Sequence, residues 1–473
     1  MRRKISAVLV LAAVWGYLHL INRPVNYAGQ ILDWAHCLGG PQCATVKVPL
    51  DHDAPGSPTL EIALARLSAT DPARRMGTLV VNYGGPGISS VAALAEGPGL
   101  FTDLRERYDI VAFDPRGAGS STALVCRDDG ETAPLFAADQ TPETPQEQAR
   151  FVAAQREQFT QCERRSGWLM PHLTTRAAAN DLDIIRSALG EERLTYLGWS
   201  YGGQLGADYS RAHPARVGRM VLDSPAAGAI GAYHLDSLLG GIRAMQDAFD
   251  AFTRDCVKRR RGCPLGKVFL DPAVELDNII DDLDFRPLAV KGGQLDDSRA
   301  ILGIVGHLYD TDSWPDLREA VRALMRGDGQ PLYDAAVAMQ APGEIDARLA
   351  VNCADTPARI DPQRIVKDGA AIHDASDLFG SWIAWDSAGC QGWPANPGSD
   401  PWVPPSTPPI LLVGTTEDPI TSYGDAQFLK ENLANATLLK VEGKDHTAYG
   451  NNHCAKRAIE GYLFDGTMPA RPC

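Results

Sequence analysis

One stretch constrains the fold of this chain more than any other. Arg193 to Leu197 reads as a short buried strand, a helical run follows through Gln204, Leu205 and Tyr209, and between them lies Gly198-Trp199-Ser200-Tyr201-Gly202-Gly203. A strand that enters a helix through G-x-S-x-G turns so tightly that the serine takes a strained conformation. The residues two before and two after it must then be glycine or very small. Gly198 and Gly202 meet that condition. Such a turn lifts the hydroxyl clear of a sheet and aims the first N–H groups of the helix at negative charge developing beside it. With 45 glycines in 473 residues the five-letter pattern can arise by chance, so its surroundings decide its meaning.

Those surroundings are regular. Thr78 to Asn82, Asp109 to Phe113 and Arg219 to Leu222 are further apolar runs, each ending near Gly, Pro or Asp and separated by helical periodicity. This alternation predicts parallel strands joined by crossover helices, an α/β protein whose functional residues gather beyond the carboxyl ends of the strands. From Ala226 to about Gln391 the pattern becomes one of amphipathic helices, such as Leu235 to Arg254 and Trp314 to Arg326, with no convincing strand. A helical cap over residues 226–391 is expected. Residues 392–409 hold Pro394, Pro397, Pro401, Pro404, Pro405, Pro408 and Pro409 and read as a linker returning to the sheet. A strand Ile410 to Gly414, a helix near Asp425 to Asn435, a strand Thr437 to Val441 and a last helix from about Cys454 to Tyr462 complete the core, which comprises residues 28–225 and 410–473.

A serine hydroxyl is a weak nucleophile and needs a base within reach, itself held by an acid; behind a turn of this kind the chain order is serine, acid, histidine. After the proline-rich return, Leu411 to Gly414 runs into Thr415-Thr416-Glu417-Asp418-Pro419, where the acid belongs. Asp418 is the candidate and Glu417 its competitor. Beyond the next strand, Lys444-Asp445-His446-Thr447 places His446 as the general base. His453, at the start of the last helix, reads as a capping or surface residue, and Asp445 as a loop carboxylate. An oxyanion would be held by the N–H of Tyr201 and by one from Asn82-Tyr83-Gly84-Gly85-Pro86-Gly87, with Gly85 the expected donor. No cofactor is required by such chemistry.

The chain opens with Arg2, Arg3 and Lys4 followed by an apolar run from Ile5 to Ile21, the charged and hydrophobic parts of an export signal. No small-x-small cleavage site follows, so residues 1–27 read as a signal peptide or a signal anchor at the short end of what spans a bilayer. A secreted or cell-surface location is expected. Ten cysteines in an exported chain predict disulfides. Spacing ranks Cys37 with Cys43, Cys256 with Cys263 and Cys454 with Cys473 first, leaving Cys126 with Cys162 and Cys353 with Cys390. Paired Cys-x2-Cys and His-Glu-x-x-His motifs are absent, so no metal is expected. A net charge of -14 argues against nucleic acid as a partner, and no sequence signal sets an oligomeric state.

Cys43-Ala44-Thr45-Val46-Lys47-Val48-Pro49-Leu50-Asp51, Gly84-Gly85-Pro86-Gly87, Asp114-Pro115-Arg116-Gly117, the turn at Ser200, Asp418-Pro419-Ile420-Thr421 and the segment from His446 to Cys473 together resemble the secreted tripeptidyl aminopeptidase and proline iminopeptidase branch of the α/β-hydrolases. The resemblance implies an α/β-hydrolase fold, a mostly parallel central sheet with a helical cap inserted before the acid-bearing strand. It also implies cleavage of one or a few residues from a peptide's free N-terminus, with Asp114 and Arg116 structuring loops. The substrate is then a peptide or a small acyl compound. Tyr83, in the glycine loop, and Asp355, an acid suited to a substrate ammonium or to capping a helix, are the candidate substrate-binding residues. An esterase or amidase, or a catalytically silent binding protein on the same fold, are the other readings. The intact serine, acid and histidine speak against the silent one.

Overall fold

Nine strands form one sheet in the order β1-β2-β3-β5-β4-β6-β7-β10-β11. They are β1 (Ala35–His36), β2 (Gln42–Pro49), β3 (Thr59–Leu67), β4 (Gly77–Asn82), β5 (Tyr108–Phe113), β6 (Leu194–Trp199), β7 (Val217–Asp223), β10 (Ile410–Thr415) and β11 (Ala436–Val441). The computed structural model describes residues 27–473 apart from 38–39, 55, 129, 228–234, 260–261, 267–270, 342, 357–358 and 395–405. The N-terminal apolar run expected to be an export signal and most of the proline-rich return lie outside the described residues. The first three strands pair antiparallel, as does β3 with β5; every pairing from β5 to β11 is parallel.

The parallel strands are apolar on both faces because helices cover both. Leu79, Val81, Ile110, Leu197, Val221, Leu411 and Val413 pack on one side with Leu94, Ile459 and Leu463. Val80, Val111, Tyr196, Met220 and Leu412 point to the other side and meet Leu182, Ile185 and Leu205. Alternate residues of one strand thus serve two separate cores. The helices concerned are α1 (Ser90–Glu96) and α14 (His453–Asp465) on the first side, α3 (Thr175–Ala188) and α4 (Tyr201–Ala212) on the second, with α13 (Tyr423–Asn432) closing the β10 to β11 crossover.

Between β7 and β10 the described residues contain α5 (Leu235–Lys258), α6 (Pro272–Phe285), α7 (Asp297–Leu308), α8 (Trp314–Leu324), α9 (Gln330–Ala338), α10 (Glu344–Asp355), α11 (Pro362–Ala375) and α12 (Asp377–Ser387). They bury a core of their own, built on Phe249, Phe252, Ile304, Leu317, Val321 and Phe379. Two features differ from the sequence reading. The helical segment includes a hairpin, β8 (Leu288–Val290) with β9 (Gly293–Leu295); three-residue strands are too short for an alternating pattern to register. The helical layer also draws on an earlier excursion. In α2 (Pro145–Ser166), started by a Thr144 and Glu147 capping box, Phe151 lies edge-on to Trp385 of α12 at 5.7 Å and Gln158 bonds Asp346 of α10 at 2.9 Å.

The ten cysteines form Cys37–Cys43, Cys126–Cys162, Cys256–Cys263, Cys353–Cys390 and Cys454–Cys473. No helix among the described residues is long and apolar enough to cross a membrane.

Candidate active site

Ser200 occupies the turn from β6 to α4 with φ 56 and ψ -123, a conformation that non-glycine residues rarely adopt. The tightness of the turn is visible in its neighbours. A Cβ on Gly198 would lie 2.3 Å from the Gly202 carbonyl oxygen, and one on Gly202 would lie 2.4 Å from that of Asn82. The backbone is held by the Ser200 N–H on the Asp223 carbonyl at 3.0 Å and by the Ala226 N–H on the Ser200 carbonyl at 3.1 Å. Ser200 stays half-buried while the residues on either side of it are buried.

Tyr201 is the first residue of α4, and no side chain caps that end, so its N–H is one of the helix's unclaimed donors. The glycine loop after β4 approaches it closely: a Cβ on Gly84 (φ 92) would stand 3.1 Å from the Ser200 Cβ and 3.2 Å from the Tyr201 nitrogen. Gly85 follows with φ 110 and a cis bond to Pro86. Asp114 fastens this loop from beneath, accepting the Val91 and Ser120 N–H groups at 2.9 and 2.8 Å and the Ser89 hydroxyl. Arg116, 1% exposed, joins Asp181 at 2.6 Å and the Leu50 and Pro49 carbonyls. Both residues therefore structure loops.

The acid and the imidazole meet across 28 residues of chain. His446 Nδ1 lies 2.9 and 3.0 Å from the two oxygens of Asp418. Asp418 also accepts the Ile420 and Thr421 N–H groups at 2.9 and 3.0 Å. Burial alone would push its carboxyl up, but the His446 charge and hydrogen bond and the two backbone N–H groups bring it below the ordinary carboxylate range. An ionised Asp418 fixes the proton on Nδ1 and leaves Nε2 as the acceptor. Nε2 makes no hydrogen bond among the described residues, so it is free to take a proton; hydrogen bonds of this kind often tighten only when substrate binds. Glu417, the competing acid, is half-buried and pairs with Lys444. His453 is exposed beside Asn452, which is the residue that caps α14.

Two residues around this pair, Thr421 and Asp223, have roles that escape a reading of the sequence, and a third, Asp445, is the loop carboxylate expected but with a partner the sequence does not give. Thr421 donates its hydroxyl to the Ser224 carbonyl at 2.9 Å and lies 3.4 Å from His446 Nδ1, tying the acid loop to the end of β7. Asp223, the last residue of β7, is fully buried and accepts the Ala448 N–H at 3.0 Å and the Tyr449 N–H at 2.7 Å, holding the histidine loop from below. Burial pushes its carboxyl up to about 6 in spite of those bonds. Its place at a strand end, in Leu222-Asp223-Ser224-Pro225, is the one signal the sequence offers. Asp445 accepts the Thr311 N–H at 2.8 Å, and the His446 N–H donates to the Tyr309 carbonyl at 2.8 Å. The histidine loop is thus fastened to the segment between α7 and α8. Removing the Asp445 carboxylate leaves the Thr311 N–H without its acceptor, worth about 1–3 kcal/mol if it stays unpaired. Asp445→Ala is expected to lower kcat on a nitrophenyl ester by about tenfold, and Asp445→Asn, which keeps a carbonyl oxygen, to recover most of it. Equal losses in both would show that this bond does not position His446.

The two substrate-binding candidates are placed as follows. Tyr83 packs against Trp199 at 4.9 Å and Phe101 at 6.4 Å. Its buried hydroxyl has no partner among the described residues, and burial raises its pKa. Asp355 ends α10, and its carboxyl takes the Thr175 N–H at 2.8 Å and the Thr175 hydroxyl at 2.5 Å; that hydroxyl in turn lies 2.8 Å from the Tyr201 hydroxyl. Asp355 is thereby bound to the start of α3, the helix-capping alternative, and burial pushes its carboxyl up to about 7. Among the described residues Cys126, Cys162 and Asp346 are close enough together to hold a metal. The two sulfurs are bonded to each other, and Asp346 is occupied by Arg127 and Gln158.

Ser200, Asp418 and His446 stand beyond the carboxyl ends of β6, β10 and β11, with β7 between them. The arrangement can perform acyl transfer: a strained hydroxyl followed by the unclaimed Tyr201 N–H, and at the same end of the sheet an imidazole whose tautomer is fixed by a buried carboxylate. Comparison with known proteins bears on the fold and the family. Residues 77–315 match the family described as alpha/beta hydrolase fold, and residues 376–473 match the one described as TAP-like protein. The serine protease Hip1 of Mycobacterium tuberculosis is 33% identical, over 93% of this chain and 90% of its own. Carboxylesterase B of the same organism is 32% identical over 90% and 85%. The tripeptidyl aminopeptidase of Streptomyces lividans is 30% identical over 93% and 86%. By fold, by the strained serine turn and by kinship along nearly its whole length, the chain belongs to the α/β-hydrolase family, with a TAP-like C-terminal segment.

Proposed function

We propose that the protein is a serine exopeptidase that acts outside the cytoplasm and releases residues from the free N-termini of peptides. The observation that carries the hydrolytic part is the His446–Asp418 pair, held at the same end of the sheet as the strained Ser200. The peptidase part is supported by relatives named serine protease and tripeptidyl aminopeptidase. Ser200 Oγ attacks the carbonyl carbon as His446 Nε2 takes its proton, and the oxyanion is held by the N–H groups of Tyr201 and Gly85, that of Gly84 being donated to the Asn82 side chain at 3.1 Å. The imidazolium then protonates the leaving amine, the C–N bond breaks, and water attacks the acyl-enzyme with His446 again as base. The helices inserted between β7 and β10 act as a lid that admits chain ends. The five disulfides and the basic, apolar N-terminus support export to the surface or medium.

Carboxylesterase B, nearly as similar as the named protease, favours a second reading, an esterase with the same triad. Turnover of one fluorogenic peptide with a free and with an acetylated N-terminus, beside an acyl nitrophenol, separates the two. The exopeptidase should cut the free peptide at least about tenfold faster than the blocked one. Ester turnover with neither peptide cleaved would establish the esterase instead.

A further inference from the structure

Arg348 is a cation near the candidate active site that the mechanism does not use. It lies on α10, the helix pressed against the glycine loop: a Cβ on Gly87 would stand 2.5 Å from the Glu344 carbonyl oxygen and 3.1 Å from the Arg348 nitrogen. On the other side it is near enough to Tyr309 that its charge opposes the rise that burial imposes on the Tyr309 phenol. The Tyr309 ring meets the His446 ring edge-on at 5.4 Å. Arg348 therefore stands between the loop beside Ser200 and the residue that covers His446. It is half-buried, with 36% of its side chain open to solvent.

Its hydrogen bonding is slack. Arg116 and Arg127, which are more deeply buried, meet their carboxylates at 2.6 and 2.9 Å. Arg348 meets Asp386 of α12 at 3.4 and 3.5 Å, and no other hydrogen-bond partner for it stands among the described residues. A charge-assisted pair closes to about 2.7–2.9 Å when it forms fully. Five N–H donors in a planar fork are thus barely engaged, and the fork matches a carboxylate. The Tyr309 hydroxyl likewise makes no hydrogen bond among the described residues and supplies a further donor near Arg348.

Resting on the reading of Ser200 and His446 as the reacting pair, we propose that Arg348, with the Tyr309 hydroxyl, receives a carboxylate of the substrate, from an acidic side chain or from a free chain end near the bond that is cut. A half-buried guanidinium attracts an anion more strongly than one fully in water, because less water screens it. Asp386 is a poorer receptor for a substrate ammonium. It is 48% exposed, and the guanidinium beside it opposes a second cation.

The test compares ratios within one enzyme preparation. Fluorogenic peptides differ by Glu, Gln or Lys on either side of the scissile bond, and a short peptide is offered with a free or an amidated C-terminus. In the wild type one carboxylate-bearing member should exceed its neutral partner in kcat/KM by about tenfold or more, and the series that responds identifies the source of the carboxylate. Arg348→Ala should bring that ratio to about one, Arg348→Lys should leave a reduced preference, and Asp386→Asn should enlarge it. A ratio near one in the wild type, or one unchanged by Arg348→Ala in protein that still reacts with a fluorophosphonate, would overturn the proposal. A parallel pair of nitrophenyl esters, one with a terminal carboxylate and one neutral, reads the same ratio even if no peptide is cut. The carboxylate site can therefore fail while the peptidase reading stands, and the reverse.

Discussion

Ser200→Ala is expected to lower kcat by about 10⁶-fold on every acyl substrate the protein accepts, without loss of folded protein. The hydroxyl is the one atom in the site that can form the acyl bond, and the methyl that replaces it fits a position whose backbone is held independently. The Asp223 carbonyl and the Ala226 N–H fix the turn through main-chain bonds that do not involve the side chain, and Gly198 and Gly202 leave the space it requires. His446→Ala should cost nearly as much. The double variant should be little worse than either single one, because a nucleophile and its base act as a unit. Single-turnover rates on a nitrophenyl ester, with circular dichroism to show retained fold, measure all three. More than 1% of wild-type turnover in Ser200→Ala would remove Ser200 from the role, as would fluorophosphonate labelling that survives the substitution.

How much of this was legible beforehand follows from the range of the interactions. The turn at Ser200 is a local constraint, since clashes within a few residues force glycine at 198 and 202, and local constraints leave a mark in the sequence. Strands β4, β5, β6 and β10 were readable because their apolar runs are continuous, a consequence of burial on both faces. The reading names no strand before Thr78, although β2 and β3 alternate buried and exposed residues from Gln42 to Pro49 and from Thr59 to Leu67. Their signal is alternation, and Lys47, Glu61 and Arg66 break the continuous apolar run by which the buried strands are recognised. The partners of the site were less readable still. Asp223 meets Tyr449 across 226 positions and Asp445 meets Thr311 across 134. Such pairs are chosen by where the strands end in space, and residue type alone does not announce them. Asp355 shows the converse: an acid placed after a cysteine looked equally suited to an ammonium or to a helix end, and its contact with Thr175 depends on how α10 crosses α3.

Asp418→Asn is the second large effect, expected at about 10⁴-fold in kcat with the fold again retained. The amide oxygen can still accept the Ile420 and Thr421 N–H groups that the carboxylate accepts at 2.9 and 3.0 Å, so the loop keeps its shape. What changes is the side facing His446. A carboxylate accepts the Nδ1 proton, whereas an amide nitrogen donates one, and the imidazole then carries its proton on Nε2, the atom that must take the proton of Ser200. Stability has its own signature. Because the folded protein holds the Asp418 carboxyl below its ordinary range, ionised Asp418 contributes stability at neutral pH that is lost as the pH falls through that depressed value. Asp223 has the opposite sign: with its carboxyl raised to about 6, it costs stability as the pH rises from about 4 through 6. Asp418→Asn should therefore narrow the difference in melting temperature between pH 7 and pH 3, and Asp223→Asn should widen it. Thermal melts across that range, beside kcat on one ester, read both properties. If Asp418→Asn kept kcat within tenfold of the wild type, His446 would have to be oriented by another group, and the fully buried carboxylate of Asp223 is the one positioned beneath its loop to do so.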